Sequence, residues 1–350
     1  MSLSSLPSVL AQSIAHFLST KERLRLARCS RQSRILAEAP FAWLGADSVT
    51  LNIDHNDLPS GPLLRSIPTR LVWDRSVKPD SIAGTVSNVF AIADRTHLVA
   101  FLLYQRLDDA IATDLFQAPS LMRLQTLNLR SHPRRHIELA CTLPLLTALT
   151  LHTPLAEDET SLLSPATSLT DLTVWEPFSG PSCLPSVLHH TKLRRLEVHR
   201  FRWAGLSSFS QNPGWQQLRE LSLVFFSRSV PSLSAETIAA AFSCLRSLLV
   251  LRLDGAGLQR VLTHVHRIPT LHRLIIECGS WGKNLHCSDA ALLSLLRTSP
   301  DLCVEWLVPQ PQSQWYGSRL LSLVVLAGCR LMRVDESNGN KSRVCIVRGA

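Results

Sequence analysis

Between residues 121 and 276 one hexad, LxxLxL or a close variant, recurs seven times: LQTLNL from Leu124, LTALTL from Leu146, LTDLTV from Leu169, LRRLEV from Leu193, LRELSL from Leu218, LLVLRL from Leu248 and LHRLII from Leu271. Their fourth residues, Leu127, Leu149, Leu172, Leu196, Leu221, Leu251 and Leu274, lie 22, 23, 24, 25, 30 and 23 positions apart. Side chains alternate along an extended strand, so the fourth and sixth residues of each hexad share one face. A single short strand cannot bury that face by itself. Parallel stacking of successive copies makes a continuous apolar column, and the intervening residues return over the far side to begin the next strand.

A period of about 20 to 29 residues built on LxxLxL resembles the leucine-rich repeat. The resemblance implies an irregular α/β solenoid with parallel strands on a concave face and helices and coil on a convex face. Residues 121–308 are its regular part, and residues 45–120 read as irregular early repeats. In that early part strands are expected where Val49, Leu51 and Ile53 alternate, at Leu71 and Trp73, and in LVAFLLY from Leu98, where Phe101 stands at the fourth position. Phe101 precedes Leu127 by 26 residues, within the period, whereas Leu71 precedes Phe101 by 30, which strains it.

Caps and apolar spacing predict convex helices after Ser234 (ETIAAAFSCLRSL), from Gly257 to Arg267, and after Ser288 (DAALLSLLRT), while the proline-containing LHTPLAEDETSLLSP predicts coil. The repeat family usually places Asn or Cys at the ninth position to satisfy turn backbone. Here that position holds His132, Pro154, Pro177, Phe201, Phe226, Ala256 and Gly279, so irregular turns are expected. After Pro300, Val304, Trp306 and Val308 alternate out of phase with the hexads, and PQPQSQ marks a break. Asn338-Gly339 between two alternating runs predicts a β-hairpin, and residues 309–350 are expected to cap the array.

The excess of 36 Lys and Arg over 27 Asp and Glu gives a net charge of +9, which suits an anionic surface. The basic residues are scattered along the chain, aromatics make up 6%, and no nucleic-acid motif is present, so nucleic acid is not the expected partner. The nine cysteines include no CxxC and follow no regular spacing, which points to buried free thiols in a reducing compartment. The local group Cys278, His286 and Cys287 lacks a fourth ligand, and neither a metal nor a cofactor is expected. GxSxG, HExxH, GxxxxGK[ST] and GxGxxG are all missing, and His189 with His190 or His264 with His266 read as surface pairs. A non-catalytic protein is expected. Apolar runs such as Leu320 to Ala327 are too short to span a bilayer, so no membrane is expected as a partner.

At the N-terminus the apolar run lacks a basic leader and is broken by Gln12, Ser13 and His16, which argues against a secretory signal. Three short helices fit better. Pro7 suits a first turn, with Leu10, Ile14, Phe17 and Leu18 at helical steps; Thr20 can cap a second helix through Leu24, Leu26 and Ala27, and Ser30 a third through Ile35 and Leu36, ended by Pro40. Three helices of that size cannot bury these side chains among themselves, so a partner surface is implied.

The stretch LPSVLAQSIAHFLSTKERLRLARCSRQSRILAEAPFAW resembles an F-box. Leu6 and Pro7 match its opening; Ile14, Phe17 and Leu18 match the end of its first helix. Leu24, Leu26 and Cys29 follow, and Ser33 stands where the family has tryptophan, with Arg34 and Leu36 retained. The likeness covers about 40 of 350 residues and places a helical domain at residues 1–44. An F-box followed by leucine-rich repeats is similar to the substrate receptors of SCF-type ubiquitin ligases. That likeness implies docking on a Skp-type adaptor, and through it a cullin, by Leu6, Pro7, Leu10, Ile14, Phe17, Leu18, Leu24 and Leu26. It also implies a protein target on the repeats and a cytoplasmic or nuclear location. Three readings stay open beside it: a repeat scaffold without a ligase link, an organelle protein whose serine- and arginine-rich N-terminus is cleaved, and N-terminal helices that only cap the first repeat.

For a target site, the third, fifth and seventh residues of each hexad register alternate with the buried ones and line the concave face. The third positions Asp171, Arg195 and Glu220 alternate in sign, as in a self-paired charge ladder; the fifth include Thr173, Glu197 and Ser222, and the seventh His152, Trp175 and His199. A tryptophan exposed among polar neighbours is a binding-anchor signature. Trp175, Arg195, Glu197 and His199 are therefore the expected centre of the target surface. The alternatives are that Trp175 tucks under Pro177 and Phe178, or that recognition lies on loops 200–215 or 278–287.

Overall fold

The computed structural model describes residues 49–52, 68–73, 82–95, 97–130, 133–155, 161–175, 192–202, 205–207, 209, 213–225, 233–254, 258–277, 289–299, 301–309, 329–335 and 341–348. The chain divides into two compact units, Met1–Leu149 and Thr150–Ala350.

In the first unit β1 (Val49–Asn52), β2 (Pro68–Trp73), β3 (His97–Leu103) and β4 (Thr126–Leu129) pair in parallel in chain order. Leu51 lies opposite Leu71, Leu71 opposite Phe101 and Phe101 opposite Leu127, so the early strands continue the hexad register. The long gap between Leu71 and Phe101 is taken up by α1 (Ile82–Arg95), which buries Val89, Ile92 and Ala93. Two further helices lie on the connecting segments. Asp108 caps α2 (Asp109–Gln117), its carboxylate accepting the Ile111 N–H at 2.8 Å, and α3 (Arg134–Cys141) starts after Pro133. Both are two turns long, too short for a helical period to stand out in the sequence.

α2 and α3 meet through a buried histidine: His136 is 0% exposed and its Nε2 lies 3.2 Å from Asp109 Oδ1. Burial holds its pKa below the usual value, against the opposing pull of the Asp109 hydrogen bond and charge.

β5 (Ala148–Pro154) carries the chain into the second unit. There β6 (Asp171–Trp175), β7 (Arg195–Phe201), β8 (Glu220–Phe225), β9 (Val250–Asp254), β10 (Arg273–Glu277) and β11 (Cys303–Pro309) pair in parallel in chain order. Leu172, Leu196, Leu221, Leu251, Leu274 and Val304 form one row, with Val174, Val198, Leu223, Leu253 and Ile276 in the next, and none is more than 1% exposed. Each such side chain contributes about 1.5–3 kcal/mol by leaving water.

The last parallel strand corrects one expectation. Val304 faces Leu274, and Trp306 pairs with Ile276, so β11 is in phase with the array. The inward side chain at Val304 continues the column, and α6 (Asp289–Thr298) absorbs the longer connection. The column is then closed by a hairpin: β13 (Lys341–Arg348) pairs antiparallel with β11, and β12 (Cys329–Asp335) pairs antiparallel with β13. Ile346 sits opposite Val304 and is 0% exposed. The Asn338-Gly339 link lies outside the described residues.

Connections in this unit differ from copy to copy. α4 (Ala235–Ser243) begins at Ser234, whose hydroxyl accepts the Thr237 N–H at 3.1 Å. It ends short of the predicted length because Leu245 and Leu248 must turn inward to start the next hexad. α5 (Leu258–Leu262) gives way to the 3-10 turn Val265–Arg267. Between β7 and β8 the described connection contains the 3-10 turn Pro213–Gln217 and buried rings, with Phe209 stacked on Trp215 at 3.5 Å and Phe201 edge-on to Phe225 at 5.3 Å. Cys141 is a buried free thiol pushed up to about 12, which removes it from thiolate chemistry. Among the described residues no helix is long and apolar enough to cross a membrane.

Because folded His136 binds its proton less readily than the unfolded chain, its neutral form supports the fold above pH 6.5, and that support declines as the pH drops below 6.5. The melting temperature should therefore fall between about pH 7.5 and about pH 5.5, and fall less in His136→Gln. Parallel curves for the two proteins would remove His136 as the cause.

Candidate functional site

On the second unit, the sheet face opposite the leucine rows carries the polar alternates. Trp175 on β6 and His199 on β7 are register partners, and their rings stack with centroids 4.7 Å apart and planes at 12°. His152 on β5 approaches the indole from the other side, 6.0 Å away and tilted by 45°. The seventh positions thus form a row of three rings.

Immediately after His199 the regular ladder fails. The β7–β8 register shifts between His199 and Phe201, and Arg200 takes φ 59°, the single positive φ outside glycine among the described residues. The slip lets Phe201 turn inward against Phe225, where it is 0% exposed. Arg200 is thereby placed with its guanidinium carbon 4.7 Å from the centre of the Trp175 ring. The left-handed backbone costs about 1–2 kcal/mol in a residue with a Cβ, whereas a cation over an indole returns about 0.5–2 kcal/mol. Burial of Phe201 supplies the remainder. The expectation of an exposed tryptophan is corrected: Trp175 is half-buried, and its Nε1 is buried without a hydrogen-bond acceptor. Pro177 and Phe178 lie outside the described residues.

Glu197 and His199 point the same way on β7, with Glu197 Oε1 2.9 Å from His199 Nε2 and about a quarter of each side chain exposed (23% and 26%). The hydrogen bond from His199 holds the Glu197 carboxyl below its usual range; burial opposes this, and the charges of His199, Arg252 and Arg195 add to it. Arg195 turns to Glu220 on the next strand at 3.5 Å, in a pair that is 57% and 50% exposed. An exposed pair of this kind contributes about 0–1 kcal/mol. Asp171 accepts a hydrogen bond from the Thr170 hydroxyl at 2.7 Å. Of the four sequence-predicted target residues, the structure gathers Trp175, Glu197 and His199 and sets Arg195 beside them in the third row.

Three arginines of this face were not singled out from the sequence. Arg200 was hidden because it belongs to a bulge, which hexad spacing does not encode. Arg252 and Arg273 could have been found by extending the rows to later copies. Arg252 Nε donates to Glu277 at 3.0 Å, and Arg273 forms a fork on Glu305 with N···O distances of 2.6 and 2.7 Å. Both carboxylates are only 5% exposed, so each depends on its arginine. Among the described residues no group of three or more His, Cys, Asp or Glu could hold a metal ion. The adaptor candidates Leu6, Pro7, Leu10, Ile14, Phe17, Leu18, Leu24 and Leu26 lie outside the described residues, as do Cys278, His286 and Cys287.

Residues 3–44 match the F-box domain family. The chain carries an F-box followed by leucine-rich repeats. Solved structures similar to it include the leucine-rich-repeat-containing protein LegL7 from Legionella pneumophila, at 13% identity and TM-score 0.46, covering 74% of this chain and 91% of that one. Another is the TLR13–ssRNA13 complex, at 17% identity and TM-score 0.44, covering 74% of this chain and 34% of that one. No curated protein matches the chain. The repeat assignment rests on the hexads and their in-register strands. Both parts are protein-interaction modules, which makes the chain an interaction adaptor in the broad sense.

The depressed Glu197 carboxyl contributes stability above its unfolded value, and that contribution disappears as the pH falls through the lower folded value. Between about pH 5 and about pH 3, Glu197→Gln should therefore lose less denaturation-midpoint stability than the wild type. Equal losses would mean that the Glu197–His199 contact is not maintained in solution.

Proposed function

We propose that the chain is the non-catalytic substrate-recognition subunit of an SCF-type E3 ubiquitin ligase, acting in the cytoplasm or nucleus. The F-box docks on a Skp-type adaptor and through it a cullin, and the repeats hold a protein target. The observation that carries this reading is the pairing, on one chain, of an F-box match over residues 3–44 with a parallel array whose open face is centred on an aromatic and charged cluster. The target surface on this reading is Trp175, Arg195, Glu197 and His199, joined by Arg200. A half-buried indole with fixed neighbours is a preorganised contact that loses little side-chain freedom on binding, and Trp and Arg are frequent interface anchors.

The adaptor half is tested by co-purification from cells expressing the full chain, a chain lacking residues 1–44, or the Phe17→Ala, Leu18→Ala pair. Loss of adaptor is expected in both altered proteins, with a cost of about 2 kcal/mol or more for the pair if either side chain anchors the interface. Wild-type adaptor levels in the paired variant would favour a scaffold without a ligase link. The target half is tested with Trp175→Ala, Arg195→Ala. That protein should keep its adaptor and melting temperature but capture a different set of proteins by mass spectrometry; an identical set would move recognition to other surfaces.

A further inference from the structure

Along the edge where β7 to β10 begin, the residues just ahead of the strands form a second row. Arg194, Arg219, Leu249 and His272 are joined by backbone hydrogen bonds: Arg219 N–H to Arg194 O at 2.7 Å, Leu249 N–H to Arg219 O at 2.8 Å, and His272 N–H to Leu249 O at 3.0 Å. Leu249 is 39% exposed, one of two exposed large apolar side chains among the described residues. Nothing in the hexad requires a leucine there.

Cations crowd this edge. Lys192, Arg246 and Arg267 stand exposed in the turns that lead to β7, β9 and β10. The Thr270 hydroxyl donates to the carbonyls of Arg246 and Leu248, at 3.1 and 2.9 Å, which holds the Arg246 turn against the turn before β10. Among the described residues Lys192, Arg219, Arg246 and Arg267 form no ion pair, while the nearby Glu220 carboxylate is taken by Arg195. The field is felt locally: His264 has a lowered pKa, first from burial and then from the charges of His266 and Arg267. Helix C-termini attract cations and account for part of this pattern at Arg246 and Arg267. They do not account for an exposed leucine at the centre of the row.

We propose that this edge is a second docking surface, separate from the Trp175 face, for an acidic peptide segment that carries an aliphatic residue. The aliphatic side chain covers Leu249, and carboxylates on either side meet Arg219 and the Arg246 and Arg267 turns. Arg219 and His272 lie two strands apart, about 10 Å, the span of about three residues of extended peptide. Among the described residues the row and its flanks expose no Phe, Tyr or Trp ring, only the smaller imidazoles of His266 and His272, which favours peptide over single-stranded nucleic acid.

The test is fluorescence anisotropy with the full chain and two labelled probes of equal length and similar charge, a glutamate-rich peptide with leucine at every fourth position and oligothymidylate. The peptide should bind. Charge reversal at Arg219→Glu, Arg246→Glu should weaken it about tenfold, and Leu249→Ser about threefold or more. A charge-matched control at two exposed first-unit residues, Arg123→Glu, Arg135→Glu, should change it far less, and so should Trp175→Ala, which separates this surface from the proposed target face. The proposal is overturned if the peptide does not bind, if edge and control variants behave alike, or if oligothymidylate binds more tightly and Leu249→Ser leaves the peptide unaffected.

Discussion

Everything on the surface of the second unit depends on the register of its buried columns. Leu172, Leu196, Leu221, Leu251, Leu274 and Val304 meet strand to strand, and a slip of one residue would turn Glu197, Arg252 and Glu305 into the column. Burying an unpaired charge costs far more than the stack gains from any one leucine. Register is therefore strongly specified, and with it the rows of the open face. Trp175 stands beside His199 because Leu172 stands beside Leu196.

The columns leave the connections free. A hexad needs only to be re-entered at its first leucine, and Leu124, Leu146, Leu169, Leu193, Leu218 and Leu248 are all buried. Between those points the chain uses an α-helix after Ser234, a short helix and 3-10 turn before Thr270, and packed rings around Trp215. This tolerance explains which features could be read from sequence. The strands were legible because fourth and sixth positions repeat a simple constraint. α2 and α3 were not, since two turns give too few residues to display a period. The phase of β11 is hidden in the sequence because Val304 does the work that a leucine does elsewhere, behind a connection as long as that between Leu221 and Leu251.

The candidate site was legible to a similar depth. Alternation was enough to put Trp175, Glu197 and His199 on one face. It could not reveal that Trp175 would be half-buried, because the residue that covers it reaches its place through a bulge. Arg200 has a left-handed backbone only because Phe201 is drawn inward, a consequence of aromatic packing around Phe209, Trp215 and Phe225 that no hexad position records. A core requirement on one side of the sheet thus shapes a surface feature on the other. Rigidity at such a point favours recognition, since a guanidinium and two imidazoles already arranged around an indole have less freedom to lose when a partner arrives.

Charge follows the same logic. In the linear sequence the basic residues look scattered, but strand stacking sorts them by position within the repeat. Arginines at the third and fifth positions, Arg195, Arg252 and Arg273, find carboxylates on the next strand, because lateral and diagonal neighbours there are acidic. Ahead of the strands, Arg219, Arg246 and Arg267 are exposed and form no ion pair with any described residue. Two buried carboxylates, Glu277 and Glu305, would be costly if their arginines turned away, so the later strands of the open face are committed to internal pairing. On the proposed reading the open face would therefore recognise a partner mainly through shape and rings near Trp175, whereas the edge retains electrostatic attraction that acts at longer range. Such attraction speeds encounter more than it tightens the final complex, and an edge that gathers an acidic segment would raise the local concentration of a target presented to the neighbouring strands.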